Sequence, residues 1–327
     1  MHKKAPTPNV QGERKENMEN IMDRLIEKIK EMDNPTVIGV DTRYDMVPEC
    51  VRSKYSKDIN GMCEAMLEYS KALIDATYDI VPAVKLQSAY FEMYGVEGVK
   101  LYKEMINYCR KKGMIVMADV KRGDIGSTSA GYSRAYLGKN IINEKEEGIF
   151  DVDFATVNPY MGSDCVNPFI EDCKKYDKGI FVLVKTSNKS SSEIQDLKTE
   201  DGEEIYRKVA KLVNGWGEDL IGKYGYSSVS AVVGATHPKQ LKELRELMPH
   251  AYFLIPGYGA QGGKAEDIAL GFDKNGLGGI VNATRSLMCA YKSELWKDKF
   301  AEEEYAKATR AEALRMKEEL NSAIKQK

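Results

Sequence analysis

Eight short apolar segments rich in β-forming residues recur along this chain of 327 residues, and a segment of helical character separates each from the next. This alternation is typical of βα units on a parallel sheet, because parallel strands need a crossover connection between them. The predicted strands cover residues 36–41, 80–86, 114–120, 153–157, 179–186, 228–234, 251–256 and 278–283. Eight units match the size of about 250 residues that is usual for a closed barrel. We therefore predict an α/β fold of the (β/α)8 TIM-barrel class, with an open doubly wound sheet as the alternative.

Two helical segments flank the predicted barrel. After Trp296 the chain alternates Glu, Lys and Ala, with Glu303 and Lys307 at the spacing of a helical pair, which predicts a solvated surface helix or an oligomer contact. The predicted division is an N-terminal extension over 1–34, a barrel domain over 35–290 and a C-terminal helix over 291–327 that packs on the barrel or extends from it. Near the N-terminus, apolar residues spaced by three and four predict an amphipathic helix that packs on the barrel: Met18, Ile21, Met22, Leu25, Ile26, Ile29 and Met32.

Charge and hydropathy argue against several classes of protein. The 48 basic and 50 acidic residues nearly cancel to a net charge of -2, which argues against nucleic-acid binding. No run approaches the ~18 consecutive apolar residues of a membrane span, and the polar N-terminal segment lacks the apolar core of a signal peptide. We therefore expect a cytoplasmic protein with neither a nucleic-acid nor a membrane partner.

Cysteine and histidine usage narrows the possible chemistry. The six cysteines include no Cys-x-x-Cys pair, so neither a zinc site nor a disulfide framework is indicated, and we expect them to be reduced. The three histidines, His2, His237 and His250, are too few and too poorly placed to favour a catalytic triad or a three-histidine metal site. Acid–base chemistry would then fall to carboxylates and lysines.

The predicted strands end in charged residues. Strand one ends in Asp41 and strand two in Lys85. Asp119 and Lys121 stand two residues apart at the end of strand three, and Asp124 follows in the loop beyond. Side chains two apart on a strand share a face, so Asp119 and Lys121 are expected to point together into the barrel mouth, where such barrels place their active sites. A structural ion pair would explain Asp119 and Lys121 alone. A cluster of this size is costly to desolvate without a function, which favours a catalytic site.

The loops after strands seven and eight are suited to phosphate. Gly257, Gly259, Gly262 and Gly263 allow close backbone approach in the first loop, and Arg285 supplies a permanently charged planar group in the second. Barrels commonly bind phosphate at these two loops. Ordinary glycine turns are the alternative for each loop taken alone.

At strand three the sequence becomes specific to one family. The segment Asp119-Val-Lys-Arg-Gly-Asp-Ile125 resembles the signature of the orotidine 5′-monophosphate decarboxylase family, in particular its longer bacterial form. Six further blocks match in the same order: Val-Ile-Gly-Val-Asp41, Pro-Ala-Val-Lys85, Asn158-Pro-Tyr-Met-Gly162, Lys185-Thr-Ser-Asn188, Pro256-Gly-Tyr-Gly-Ala-Gln-Gly-Gly263 and Asn282-Ala-Thr-Arg285.

The resemblance implies decarboxylation of orotidine 5′-monophosphate to uridine 5′-monophosphate, the last step of de novo pyrimidine nucleotide synthesis, without a cofactor or metal and in a homodimer with shared active sites. Lys121 would stabilise and then protonate the ring carbanion, and Asp124 would enter the neighbouring subunit's site with Thr128. The implied catalytic residues are Lys85, Asp119, Lys121 and Asp124. The implied substrate-binding residues are Asp41, Ile125, Thr128, Asn158, Ser187 or less favourably Thr186, Gln261 and Arg285, with Gly259, Gln261 and Arg285 at the phosphate.

Two other functions remain open at this point. Magnesium-dependent sugar-phosphate synthases and decarboxylases share the Asp-x-Lys-x-x-Asp strand, but they bind the metal through an acidic residue at the end of strand two, where this chain has Lys85. A non-catalytic nucleotide-binding barrel would be expected to lose its reactive charges first, and Asp119, Lys121 and Asp124 are all retained. The serine-rich segment 187–204 could be a lid, although we favour a simple insertion.

Overall fold

The computed structural model describes residues 19–259 and 262–327, and its centre is a closed barrel of eight parallel strands. The barrel strands follow the order β1-β10-β9-β8-β7-β6-β3-β2 around the ring, while β4 and β5 form a separate antiparallel hairpin. The (β/α)8 fold is therefore confirmed, and the open sheet is wrong. The strands are β1 Thr36–Val40, β2 Ala83–Gln87, β3 Ile115–Arg122, β4 Asn140–Ile142, β5 Lys145–Glu147, β6 Phe154–Val157, β7 Gly179–Lys185, β8 Ser227–Val233, β9 Ala251–Pro256 and β10 Gly279–Ala283.

Helices surround the barrel and fill the connections between its strands. They are α1 Ile21–Met32, α2 Glu49–Arg52, α3 Ile59–Asp75, α4 Ala89–Glu92, α5 Gly95–Lys111, α6 Gly126–Tyr136, α7 Ser163–Tyr176, α8 Ser192–Gln195, α9 Ile205–Trp216, α10 Pro238–Leu247, α11 Ala265–Ala269, α12 Arg285–Met288 and α13 Tyr305–Lys325. Five short 3-10 helices cover Tyr44–Met46, Lys189–Ser191, Glu218–Leu220, Ala290–Lys292 and Glu302–Glu304. Within the described ranges, no helix is both long and apolar enough to cross a bilayer.

The N-terminal helix α1 closes the bottom of the barrel. Its buried apolar face belongs to the same cluster as the inward-facing side chains near the starts of the strands, including Val37, Ala83 and Ile115. The Asn20 side chain caps the helix by accepting a hydrogen bond from Met22 N at 2.8 Å. Because this helix covers the amino ends of the strands, the polar residues at their carboxyl ends form the open mouth. Met18 of the predicted periodicity lies outside the described residues.

The C-terminal helix α13 packs on the outside of the barrel, which is one of the two predicted arrangements, and the expectation of a solvated surface helix is wrong. The helices that follow β9 and β10 have only five and four residues, and α13 packs against both of them and against α3. The indole nitrogen of Trp296 donates a hydrogen bond to Glu312 at 2.8 Å and ties the preceding segment to the helix. The buried residues of α13 are Tyr305, Ala308, Thr309, Glu312, Ala313, Met316 and Leu320.

Candidate active site

A chain of alternating charges lies at the mouth of the barrel, across the ends of β1, β2 and β3. Lys85 Nζ is 2.7 Å from Asp119 Oδ2 and 3.9 Å from Asp41 Oδ1. Lys121 Nζ is 2.5 Å from the other Asp119 oxygen, Oδ1. The barrel therefore brings together four of the predicted site residues, which come from three separate strand ends.

The buried members of this cluster are charged. Lys85 is 4% exposed and Asp119 is 6% exposed. Burial by itself would lower the pKa of Lys85, but the carboxylates of Asp119 and Asp41 raise it above its ordinary value. Burial would likewise raise the pKa of Asp119, yet the charges of Lys85 and Lys121 hold this pKa well below its usual range. The pKa of Asp41 is raised by its burial, and its Oδ1 accepts no hydrogen bond from the described residues.

Lys121 reaches Asp119 through a bulge in β3, not through the simple alternation expected from the sequence. The pairing of β3 with β6 steps from Ala118 opposite Ala155 to Arg122 opposite Val157, so four steps along β3 match two along β6. Lys121 adopts φ 44°, in the left-handed region that residues other than glycine rarely enter. Its side chain is 46% exposed and still meets Asp119, which itself follows the inward alternation of its strand. Lys121 and Asp119 do meet, but they meet because of the bulge in β3 and not because of regular alternation along the strand.

The mouth encloses a cavity of about 710 Å³, a size suited to a small polar ligand. The predicted site residues that line this cavity are Asp41, Lys85, Asp119, Lys121, Asn158, Thr186, Ser187 and Arg285. Gly257 and Tyr258 of the glycine-rich loop also line it, while Gly259 follows them with φ 66°. Gln261 lies outside the described residues.

Three predicted residues, Asp124, Ile125 and Thr128, do not line the cavity of their own chain. Asp124 Oδ1 accepts a hydrogen bond from Ile125 N at 2.8 Å, and Ile125 is 55% exposed. Asp124 and Ile125 immediately precede α6, and Thr128 lies in its first turn. Within one chain, Asp124 is therefore not part of the cavity that Lys121 lines.

The structure adds two residues that the sequence analysis missed. Gln87 Nε2 donates a hydrogen bond to Asp119 Oδ2 at 3.0 Å, and the Thr156 hydroxyl donates one to Asp119 Oδ1 at 3.0 Å. The same alternation that singled out the lysine and aspartate strands could have found Gln87, which lies two residues after Lys85 on β2. Thr156 gives a weaker signal, since it is one hydroxyl in the apolar strand β6.

The segment 187–204 forms part of the cavity wall, so its interpretation as a simple insertion is wrong. Thr186 N donates to Gln195 Oε1 at 3.0 Å, and Gln195 Nε2 donates back to Thr186 Oγ1 at 2.8 Å. The buried Lys185 Nζ lies 2.5 Å from Asp196 Oδ1. These contacts fold the segment onto the end of β7 and place Ile194 and Gln195 in the wall.

One of the predicted phosphate residues, Arg285, lines the cavity just beyond the end of β10. Arg285 begins α12 and is exposed toward the cavity. Tyr258 is buried, and its hydroxyl donates to Glu319 of α13 at 2.5 Å, which ties the glycine-rich loop to the C-terminal helix. Within residues 19–259 and 262–327, no three histidine, cysteine or acidic side chains come together as a metal-binding cluster.

Fold and site together define a (β/α)8-barrel enzyme whose cavity presents lysine and aspartate in alternation. Residues 58–294 match the profile of the orotidine 5′-phosphate decarboxylase / HUMPS family. The chain belongs to this family, and the resemblance inferred from residues 119–125 is confirmed.

Full-length relatives agree with this assignment. The orotidine 5′-phosphate decarboxylase of Caldicellulosiruptor bescii is 41% identical over 311 residues, which are 94% of this chain and 100% of the relative. That of Clostridium perfringens strain SM101 is 41% identical over 304 residues, 93% of this chain and 99% of the relative. The structure of Leishmania donovani OMP decarboxylase superimposes with a TM-score of 0.68 at 28% identity and covers 93% of this chain and 99% of that one.

Proposed function

We propose that this protein decarboxylates orotidine 5′-monophosphate to uridine 5′-monophosphate and carbon dioxide, as the last step of de novo pyrimidine nucleotide synthesis. The observation that carries the proposal is the position of Lys121, whose ammonium group is paired with Asp119 and half-exposed at the cavity. The names of the relatives, which match over nearly the whole chain, support the same reaction. The six cysteines are all free, which fits the cytoplasmic location we propose.

The chemical difficulty lies in the charge left on the ring. When the bond between the pyrimidine carbon and its carboxylate breaks, carbon dioxide leaves and the electron pair stays on the ring carbon. The Lys121 ammonium stabilises that pair and then donates a proton to form the new carbon–hydrogen bond. The neutral amine regains a proton from solvent, which its exposed position permits.

One cation is not sufficient for the whole rate enhancement. Two unit charges about 4 Å apart at an effective dielectric constant near 20 interact by roughly 4 kcal/mol, which corresponds to about a thousandfold in rate. The remainder comes from binding energy that orders the cavity around the reacting carbon. We assign the phosphate to Arg285, Gly259 and Gln261 and the ribose hydroxyls to Asp41, whose unbonded Oδ1 is available as an acceptor. We assign the base to Asn158 and Ser187, with Thr186 as the alternative.

We also propose that the enzyme is a homodimer in which Asp124, Ile125 and Thr128 complete the partner's cavity. Support comes from their position outside the cavity of their own chain. Ile125 is itself an apolar side chain that is 55% exposed. The Ser129 hydroxyl donates to Cys165 O at 2.5 Å and ties the first turns of α6 to α7. Contact with a second copy of the chain would cover the exposed Ile125 side chain.

An ultraviolet assay tests the reaction directly. Purified protein is dialysed against a chelator and mixed with orotidine 5′-monophosphate, and the loss of the substrate's absorbance is followed. We expect full turnover without added metal or cofactor. Activity that appears only when magnesium is restored would favour the metal-dependent enzymes of the same barrel, and nucleotide binding without turnover would favour a non-catalytic barrel.

A further inference from the structure

We infer that Thr156 is a positioning residue that orients Lys121 for catalysis, an inference that rests on the role proposed above for Lys121. Thr156 is 2% exposed and lies in β6 next to the bulge of β3. Alternation along β6 places it on the same inward face as Phe154, where it lines the floor of the cavity beside Asp119.

The Thr156 hydroxyl makes all the hydrogen bonds that a hydroxyl can make. It accepts one from Val120 N at 3.0 Å and a second from Lys121 N at 2.9 Å. It donates its own proton to Asp119 Oδ1 at 3.0 Å. Because a hydroxyl has two acceptor positions and one donor, the direction of each bond is fixed, and the proton must go to the carboxylate.

These contacts replace the regular strand pairing that the bulge removes. Where β3 and β6 fall out of register, the amides of Val120 and Lys121 make their bonds to a side chain and not to the neighbouring backbone. A buried amide without an acceptor is destabilising, so the hydroxyl makes the bulge tolerable. It also holds Lys121 at φ 44°, a conformation that persists only where the surroundings impose it.

The same hydroxyl therefore controls both ends of the contact between Lys121 and Asp119. It fixes the backbone from which the Lys121 side chain leaves, and it fixes the Asp119 oxygen with which Nζ pairs at 2.5 Å. Removing the hydroxyl should displace the ammonium group without removing its charge. Such a displacement affects the chemical step more than the binding of nucleotide, because alignment matters most in the transition state.

The test compares Thr156→Val, which is nearly isosteric but has no hydroxyl, with Thr156→Ser, which keeps the hydroxyl. Thr77→Val is the matched control, since Thr77 is equally buried and its hydroxyl donates to Leu73 O at 2.8 Å in the α3 region.

For each protein we measure kcat and KM with orotidine 5′-monophosphate, the Kd for uridine 5′-monophosphate, and the thermal unfolding temperature. We expect Thr156→Val to lower kcat by about a hundredfold with KM and Kd changed less than threefold. Thr156→Ser should keep kcat within about tenfold of the wild type, and Thr77→Val should lose stability alone.

Three results would overturn the inference: a kcat within threefold of wild type for Thr156→Val, no rescue by serine, or equal losses in kcat and nucleotide affinity. If Thr156→Val does not fold, Thr156→Cys replaces it, because a thiol of similar size is a poor hydrogen-bonding group. Thr156→Cys should lower kcat with little change in KM and Kd. An unchanged kcat would again count against the inference. Failure of the proposed function looks different, because the wild-type protein would then not turn over the substrate at all.

Discussion

Lys85 and Lys121 bind opposite oxygens of the same carboxylate, that of Asp119, at 2.7 and 2.5 Å. Their surroundings differ, since the side chain of Lys85 is almost completely buried while that of Lys121 is half-exposed at the cavity. The buried lysine is placed to hold the carboxylate, and the exposed lysine is placed to reach a substrate. The two lysines should therefore respond differently to mutation.

Lys121→Ala should abolish turnover, with a fall in kcat of at least a thousandfold, because the proton donor and the cation at the reacting carbon are both lost. Affinity for uridine 5′-monophosphate should change by less than about tenfold, since the phosphate and ribose contacts remain. The ultraviolet assay measures kcat, and titration calorimetry measures the affinity for uridine 5′-monophosphate. Lys71→Ala, which removes a surface lysine paired with Glu104 at 2.7 Å, is the control. A near-normal kcat would remove Lys121 from the mechanism.

Lys85→Met should lower the free energy of unfolding at pH 7 by about 3–5 kcal/mol, because two carboxylates at a buried site lose a shared cation. In the wild type, the lowered pKa of Asp119 contributes stability that is present above the unfolded value near 3.9 and is lost as the pH falls. The raised pKa of Lys85 contributes stability that is present below about 10.4 and is lost as the pH rises further.

Without the Lys85 ammonium, the folded-state pKa of Asp41, already raised, should rise further, so the variant gains stability relative to the wild type as the pH falls. The difference in free energy of unfolding between the wild type and Lys85→Met should thus be smaller near pH 4 than at pH 7. Urea unfolding at both pH values measures it. An equal difference at both would show that the lost stability comes from packing and not from charge.

Arg285→Ala should raise KM by roughly 30- to 100-fold with a smaller change in kcat, which is the effect of losing a charged hydrogen-bond donor to a phosphate, worth about 2–3 kcal/mol. Steady-state kinetics decide the point. Arg310→Ala is the matched control, because Arg310 pairs with Asp79 on the outside of α13 at 2.6 Å. An unchanged KM would contradict the phosphate assignment.

Gly39→Ala should also raise KM, although Gly39 does not itself line the cavity. A Cβ on Gly39 would overlap the Thr284 side chain, which precedes Arg285, so Thr284 would have to move. We expect a several-fold increase in KM with a loss of stability of about 1–3 kcal/mol from overpacking. Gly215→Ala in α9 meets open space and should instead stabilise the protein by about 0.5–1 kcal/mol. Unchanged kinetics for Gly39→Ala would show that β1 can adjust without disturbing Arg285.

Mixed dimers test whether active sites are shared. If Asp124 completes the partner's cavity, a heterodimer of Lys121→Ala and Asp124→Ala chains contains one intact site, and a random mixture should regain about a quarter of wild-type activity. Each variant alone should be inactive or nearly so. Differently tagged chains allow the heterodimer to be purified before assay. An inactive heterodimer of proven composition would mean that Asp124 acts in its own chain, and an Asp124→Ala variant that is active by itself would show that Asp124 takes no part in the reaction.

The eight strands could be predicted because each has a local signature, and the observed bounds differ from the predicted ones by only a few residues at most ends. Local patterns predicted a C-terminal helix but could not decide how far α13 is buried. Its alternation of Glu, Lys and Ala suits an exposed helix, yet the helix is partly buried because α11 and α12 are too short to cover their side of the barrel. The burial of α13 therefore depends on the lengths of α11 and α12, which its own sequence does not encode.

The sequence by itself determined the class of fold, the family and the set of charged strand ends, because strand periodicity and the 119–125 motif are written in neighbouring residues. Only the tertiary structure decided how Lys121 meets Asp119, since the bulge of β3 depends on a hydroxyl from β6, 35 residues away in the chain. It also decided that part of the segment 187–204 lines the cavity and that Asp124 of the same chain does not. These features arise from contacts between segments far apart in sequence, which no local pattern encodes.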